Sequence, residues 1–160
     1  MGRTVTFYVE ELVGVMGGSD PLAPPTEYRW QLSPRELHVE EDFQIDDQDL
    51  DRELCRMGQL IASYGEVQAA VRASLARREE TAEQAYARAF LNHSQVTPKP
   101  TVDACKALAT TDPKVAAANQ EKIQWEEQAL KIDNLFKGLL RKCDCLTALT
   151  YKQKAEYQRG

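Results

Sequence analysis

The chain has 160 residues, 42% of them hydrophobic and 28% charged, with a formal net charge of −5 at pH 7. This composition is ordinary for a single globular domain and excludes collagen-like and disordered classes. No run approaches the roughly 20 apolar residues of a membrane helix, and the N-terminus lacks a basic segment followed by an apolar core. The sequence therefore predicts a cytoplasmic chain with no membrane contact.

The charge is unevenly distributed along the chain. Residues 1–54 contain four basic and thirteen acidic residues, whereas residues 55–160 contain sixteen basic and twelve acidic residues. An acidic head on a basic body allows a local site for a polyanion in a chain that is acidic overall.

Residues 1–32 have no single interpretation. The run TVTFYV is rich in β-branched and aromatic residues and fits a strand, while Val5, Val9, Leu12 and Met16 fit one face of a helix. The following SDPLAPPTEYRW is a proline-rich connector. The fold of this extension stays open.

A helix-start pattern follows the extension. Ser33 can cap a helix, Pro34 suits the first helical position, and Glu36 completes a capping box three residues after the cap. We therefore expect a short helix from Ser33 to about Asp42.

A long helix is predicted from residue 47 to about residue 92. Its seam positions, most of them apolar, step by three and four for more than five heptads, as in a coiled coil. They are Leu50, Leu54, Met57, Ile61, Tyr64, Gln68, Val71, Leu75, Arg78, Ala82, Ala85 and Ala89. A helix this long needs a partner, because it is too long to be the interior of one small globule.

The second half of this helix is basic. Arg72, Arg77, Arg78 and Arg88 all lie there. Either these cations serve a ligand, or they form a solvated face paired with neighbours such as Glu79.

A break then separates the long helix from the last one. Thr101 and Asp112 each precede a helical pattern, which predicts a short capped helix and then a C-terminal helix from Pro113 to about Tyr157. Gly138, inside the apolar stripe of that helix, indicates a close approach by another segment.

The apolar stripe of the C-terminal helix is wider than a two-stranded contact requires, which favours a homo-oligomer. The predicted oligomerisation residues are Trp125, Ile132, Leu135, Phe136, Leu139, Leu140, Leu146 and Leu149.

Catalytic motifs are missing from the sequence. It has no glycine-rich phosphate loop, no nucleophile elbow and no metalloprotease pattern. Its four cysteines do not have the spacing of a zinc site, and the acidic run near residue 45 lacks the glycine of a calcium loop. We therefore expect a non-enzymatic protein with no cofactor and no bound metal.

A nucleic-acid site is possible around the end of the long helix. Tyr86, Arg88 and Lys99 combine an aromatic face with spaced cations, the groups that hold single-stranded nucleic acid. The alternative is that Tyr86 and Phe90, one helical turn apart, only pack against the returning helix.

The order of these elements resembles the UvsY-like recombination mediators of bacteriophages. The similarity rests on the turn DFQID, the linker pieces KPT and DPKV, and the closing segment LLRKCDCLTALTYKQKAEY. It covers about residues 33–157. The resemblance implies an all-α fold and a ring-like homo-oligomer in the host cytoplasm.

The resemblance also implies a function in DNA recombination, replication and repair. Members of the UvsY-like family bind single-stranded DNA and contact the phage recombinase and the single-strand-binding protein. The resemblance therefore implies that this chain promotes recombinase loading. The implied DNA-binding residues are Arg72, Arg77, Arg78, Tyr86, Arg88 and Lys99. Arg88 matches a basic position of the family, while Tyr86 replaces a lysine.

The predicted regions are an extension (1–32), a DNA-binding region (33–98), a linker with a short helix (99–112) and an oligomerisation helix (113–160). The competing hypothesis is a coiled-coil scaffolding or assembly protein of a phage that binds only protein partners.

Overall fold

A computed structural model of the chain describes residues 3–15, 27–46, 48–96 and 98–158. The described elements are β1 (Val5–Val15), β2 (Glu27–Leu37), α1 (Val39–Phe43), α2 (Leu50–Ser94), α3 (Val102–Thr111) and α4 (Pro113–Tyr157). The chain divides into two compact units. The first combines the described residues up to Val71 with those from Lys131 onward, and the second is Arg72–Leu130.

β1 and β2 form an antiparallel hairpin in the first unit. Their register runs from Val5 opposite Leu37 to Val15 opposite Glu27. Val5, Phe7 and Val9 are buried while the residues between them are exposed, the two-residue alternation of a strand with one covered face.

The hairpin corrects two predictions from the sequence. The fold is not all-α, since the extension contains β1, and Ser33 to Leu37 belong to β2 where a helix start was predicted. Ser33 and Pro34 lie opposite Val9 and Tyr8, so pairing with a β-branched strand prevails over the local capping box. Each strand of a two-stranded ribbon has a free edge, where a proline without an N–H is tolerated.

A buried polar cluster joins α1, α2 and α4 in the first unit. The ammonium group of Lys142 donates to Glu53 and to the backbone carbonyl of Asp42, at 2.9 Å in both cases. Arg56 and the hydroxyl of Tyr64 donate to the two carboxylate oxygens of Asp42 at 2.9 and 3.0 Å. These bonds satisfy the charges and anchor the chain between α1 and α2.

The predicted close approach at Gly138 is confirmed. A Cβ atom at this position would lie 2.8 Å from the Phe43 ring, well inside van der Waals contact. Only glycine therefore lets α1 pack against α4 without displacing the ring. Phe43 also packs edge-on against Tyr64, with ring centroids 6.4 Å apart.

The heptad pattern of the long helix is confirmed by burial, since each of its twelve predicted seam positions is buried or half-buried. In the first unit the returning α4 supplies the partner. Gln68 donates to Asp133 at 2.7 Å, and Gly65 lies against Phe136. The seam is therefore covered by the same chain.

The second unit has a core of small side chains from α2, α3 and α4. Ala89, Ala109 and Val115 are buried together, and Ala85 and Phe90 pack against them. The alanines that continue the seam of the long helix therefore lie in a contact between three helices.

Both predicted caps after the break are confirmed. The Thr101 hydroxyl accepts from the backbone N–H of Ala104 at 3.3 Å, and the Asp112 carboxylate accepts from that of Lys114 at 2.8 Å. α4 spans Pro113–Tyr157 as predicted. None of the helices in the described ranges carries an apolar stretch long enough to cross a membrane.

Candidate nucleic-acid interface

All six residues predicted to bind DNA lie in the second unit, five on α2 and Lys99 in the segment after it. Arg72, Arg88 and Lys99 are exposed. Arg77 and Arg78 are half-buried.

Arg77 and Arg78 have partners within the second unit. Arg77 donates to the hydroxyl of the buried Ser74 at 3.1 Å. Arg78 forms an ion pair with Glu121 of α4 at 3.2 Å, and the Glu121 side chain is 56% exposed. The Arg78 side chain is only 28% exposed, so the pair is partly shielded from solvent, and a phosphate reaches Arg78 only by displacing Glu121.

Tyr86 lines an open groove of about 470 Å³. Asn119 and Lys122 of α4 lie on the other side of this groove, together with Glu79 and Glu83 of α2. The groove combines an aromatic ring with amide and charged groups, while its two glutamates oppose binding of a phosphate there. Tyr86 is only partly covered, whereas Phe90 packs into the core as the alternative prediction held.

Arg88 lines a different cavity, of about 230 Å³, at the start of α4. Lys114 and Asn92 share this cavity with it, as does Asp112. Lys114 belongs to the DPKV segment of the linker but was not among the predicted DNA-binding residues. Its proximity to Arg88 depends on the fold, since the two are 26 positions apart in the sequence.

The second unit is electrically balanced, although residues 55–160 taken together have a basic excess. Residues 72–130 contain eight basic and eight acidic residues, whereas residues 131–160 contain seven basic and three acidic residues. The positive excess of the body therefore belongs to the last 30 residues. Any phosphate binding by the second unit depends on where its cations lie, because its net charge supplies no attraction.

Solved structures of the bacteriophage T4 recombination mediator protein UvsY are similar to this chain. Two crystal forms, lattice types IV and II, match with a TM-score of 0.63, and lattice type I matches with 0.62. The matches cover 74% of this chain and 92 to 95% of the T4 chain. The chain has a UvsY-like fold.

The resemblance predicted from short helical motifs is thus confirmed as a likeness of fold. Sequence identity over the UvsY-like fold is 13%, which explains why short motifs alone carried the resemblance. No protein-family model matches the sequence, and a search of curated proteins gives no significant match.

The predicted oligomerisation residues differ in exposure within the UvsY-like fold. Ile132, Leu139 and Leu146 are completely buried by their own chain, and Trp125 is 7% exposed. These four residues stabilise the protomer itself. Leu135 and Phe136 are half-buried. Leu140 and Leu149, at 40 and 41% exposed, have the most surface left for another copy, and oligomerisation stays a prediction.

Proposed function

We propose that this chain is a recombination mediator that binds single-stranded DNA as a homo-oligomer. In this function it promotes loading of a phage recombinase onto DNA in place of the single-strand-binding protein, in the host cytoplasm. It acts by binding and presenting DNA, without catalysis, a metal or a cofactor.

The UvsY-like fold is the observation that carries this proposal, because the T4 protein with that fold is a recombination mediator. The second unit supplies exposed cations for phosphates at Arg72, Arg88 and Lys99, and an aromatic ring at Tyr86. A few cations per subunit are sufficient when the site is repeated around an oligomer, since linked weak sites bind with high avidity.

Fluorescence anisotropy of labelled oligo(dT) tests DNA binding at several salt concentrations. We expect the double variant Arg72→Ala/Arg88→Ala to bind more weakly than the wild type. We also expect the slope of log affinity against log salt to fall by about 1.4, since each phosphate contact on a single strand contributes about 0.7. Both arginines are exposed, so the fold should tolerate the change.

The matched control is Arg29→Ala/Arg141→Ala, which removes two exposed arginines outside the second unit. We expect it to keep the affinity and the salt slope of the wild type. A wild type that does not bind oligo(dT) at low salt contradicts the proposal, as does equal loss in the control. Recombinase filament formation on DNA coated with single-strand-binding protein then tests loading.

One observation favours the scaffolding alternative. The second unit is electrically balanced, and Arg78 is already paired with Glu121, as expected for a surface that serves no polyanion. If the chain is such an assembly protein, we expect its oligomer to have the same mass with and without oligo(dT). Light scattering with and without the oligonucleotide distinguishes the two functions.

A further inference from the structure

A cavity of about 230 Å³ in the second unit is bordered by two cations from different helices. Arg88 lies late on α2 and Lys114 in the first turn of α4, and both residues are exposed. Asn92 follows Arg88 by one turn, so the two share a side of α2. This space, the α2–α4 cavity, is therefore bordered by three side chains that can donate hydrogen bonds.

Small side chains leave the α2–α4 cavity open. Ala85 and Ala89 of α2 line it, and Ala89 is also buried with Val115 of α4 in the core of the second unit. An alanine side chain is a single methyl group, so space remains between the two helices. The neighbouring core packs the helices together, which keeps Arg88 and Lys114 beside the same space.

The two cations of the α2–α4 cavity differ in their pairing from others of the second unit. Arg78, Lys106 and Lys122 each form an ion pair with an acidic side chain. Within the part of the chain that the structure describes, Arg88 and Lys114 form no ion pair. Two like charges beside one space repel each other, and an anion placed between them is attracted to both. The α2–α4 cavity therefore favours an anion.

An acidic side chain, Asp112, also lines the α2–α4 cavity and opposes an anion there. Its carboxylate accepts from the backbone N–H of Lys114 at 2.8 Å, and the positive end of the dipole of α4 compensates part of its charge. With Arg88 and Lys114 counted against Asp112, the described lining residues have a net charge of +1. A phosphodiester carries a single negative charge, which matches this value.

We propose that the α2–α4 cavity binds one backbone phosphate of single-stranded DNA, with Arg88 and Lys114 contacting the same phosphate group. Their guanidinium and ammonium groups donate charge-assisted hydrogen bonds to its oxygens, and the Asn92 amide donates a further one. This inference rests on the proposed function. It adds Lys114 and Asn92 to the residues that contact DNA, and it gives Asp112 an opposing effect.

A double-mutant cycle with labelled oligo(dT) tests whether Arg88 and Lys114 share one phosphate. We expect Lys114→Gln to weaken binding about fivefold in the wild type and less than about twofold in Arg88→Gln, where the shared contact is already lost. The variant with both changes should lower the slope of log affinity against log salt by about 0.7, the value for one phosphate on a single strand, where two separate phosphates would give about 1.4.

Lys106→Gln is the matched control, because it removes an exposed lysine of the same unit that does not line the α2–α4 cavity. It should change the affinity less than about twofold. Circular dichroism verifies that all variants fold. Wild-type affinity in Lys114→Gln overturns the inference, and so do losses from Arg88→Gln and Lys114→Gln that multiply in the double variant, since they would indicate separate contacts.

Asp112→Asn tests the electrostatic argument in the opposite direction. Asparagine caps a helix about as well as aspartate, so α4 keeps its start. Removing the negative charge should strengthen oligo(dT) binding about threefold, a gain that a poorly folded variant would not show. Binding that is unchanged or weaker contradicts the assigned effect of Asp112 and overturns the inference.

Inorganic phosphate tests the α2–α4 cavity without DNA. Thermal unfolding is compared in phosphate and in chloride at equal ionic strength, since a ligand of the folded state raises the melting temperature. Phosphate also stabilises proteins by exclusion from their surface, an effect common to all variants. We therefore expect a larger rise in the wild type than in Arg88→Gln/Lys114→Gln.

The phosphate comparison separates failure of this inference from failure of the proposed function. A wild type that does not bind oligo(dT) at low salt contradicts the proposed function, and the melting temperatures in phosphate then decide whether the α2–α4 cavity holds a phosphate group. Equal rises in the wild type and in Arg88→Gln/Lys114→Gln overturn the inference, whether or not the wild type binds DNA.

Discussion

Lys142 is a charged residue whose side chain is only 4% exposed, and its ammonium group is bonded to Glu53 and to two backbone carbonyls. Removing one member of a buried ion pair leaves the other charge uncompensated. We therefore expect Lys142→Met to lower the free energy of unfolding by about 3–5 kcal/mol. Urea denaturation followed by circular dichroism measures this loss.

Two further variants define the cause of that loss. Lys106→Met removes an exposed lysine and should change the free energy of unfolding by less than about 0.5 kcal/mol. Lys142→Met/Glu53→Leu replaces both charges by apolar groups and should recover much of the stability. A loss below about 1 kcal/mol for Lys142→Met alone would contradict a stabilising role for the pair.

Tyr64 makes the stability sensitive to alkaline pH. It is completely buried, and burial raises its pKa above the ordinary value of about 10, with a further rise from the negative charge of Asp42. The folded protein keeps the proton at a pH where the unfolded chain releases it. The free energy of unfolding therefore has its full contribution from Tyr64 below about pH 10 and loses it as the pH rises further.

Thermal unfolding of the wild type and Tyr64→Phe between about pH 9 and 11 checks this. We expect the melting temperature of the wild type to fall more steeply with pH, because phenylalanine has no proton to lose. Tyr64→Phe also removes the hydrogen bond to Asp42, so the slopes with pH are compared and not the absolute temperatures. Parallel curves would show that Tyr64 does not cause the alkaline loss.

At the scale of elements, the break between α2 and α4 depends on its caps. Thr101→Ala leaves the N–H of Ala104 without its acceptor and should lower the free energy of unfolding by about 1 kcal/mol. Thr110→Ala is the control, since the Thr110 hydroxyl only bonds to the preceding turn of the same helix. Equal effects of the two changes in urea denaturation would contradict the capping role.

The helices were predictable from sequence because their signals are local. The three-and-four spacing of α2 and the caps at Thr101 and Asp112 lie within a few residues of what they determine. β2 was missed because its pairing is not local: Ser33 lies opposite Val9, 24 positions earlier. The same limit applied to the site, where Arg88 could be chosen from its helix but its neighbour Lys114 could not.

At the scale of the whole molecule, the two units are stabilised by different cores. In the first unit the completely buried side chains are mostly large, including Phe7, Met57, Tyr64 and Leu139. In the second unit the buried side chains are mostly small, and Trp125, at 7% exposed, is the large exception among the described residues. Burying a large apolar side chain contributes about 1.5–3 kcal/mol, far more than burying the single methyl group of an alanine.

Hydrogen exchange should therefore proceed faster in the second unit. We expect the amides of α3 and of residues 72–94 to open at a free energy lower by about 1 kcal/mol or more than those of residues 50–71, a fivefold or larger difference in protection. Mass spectrometry of peptides from the exchanged protein resolves the two halves of α2. Residues 50–71 of the helix then serve as the reference for residues 72–94 of the same helix. Equal protection along α2 would mean that the helix opens as one cooperative element and that the small-residue core imposes no local weakness. A graded loss beginning near Arg72 would instead show that the residues proposed to bind DNA belong to the less stable part of the fold, where a bound ligand can stabilise it most visibly.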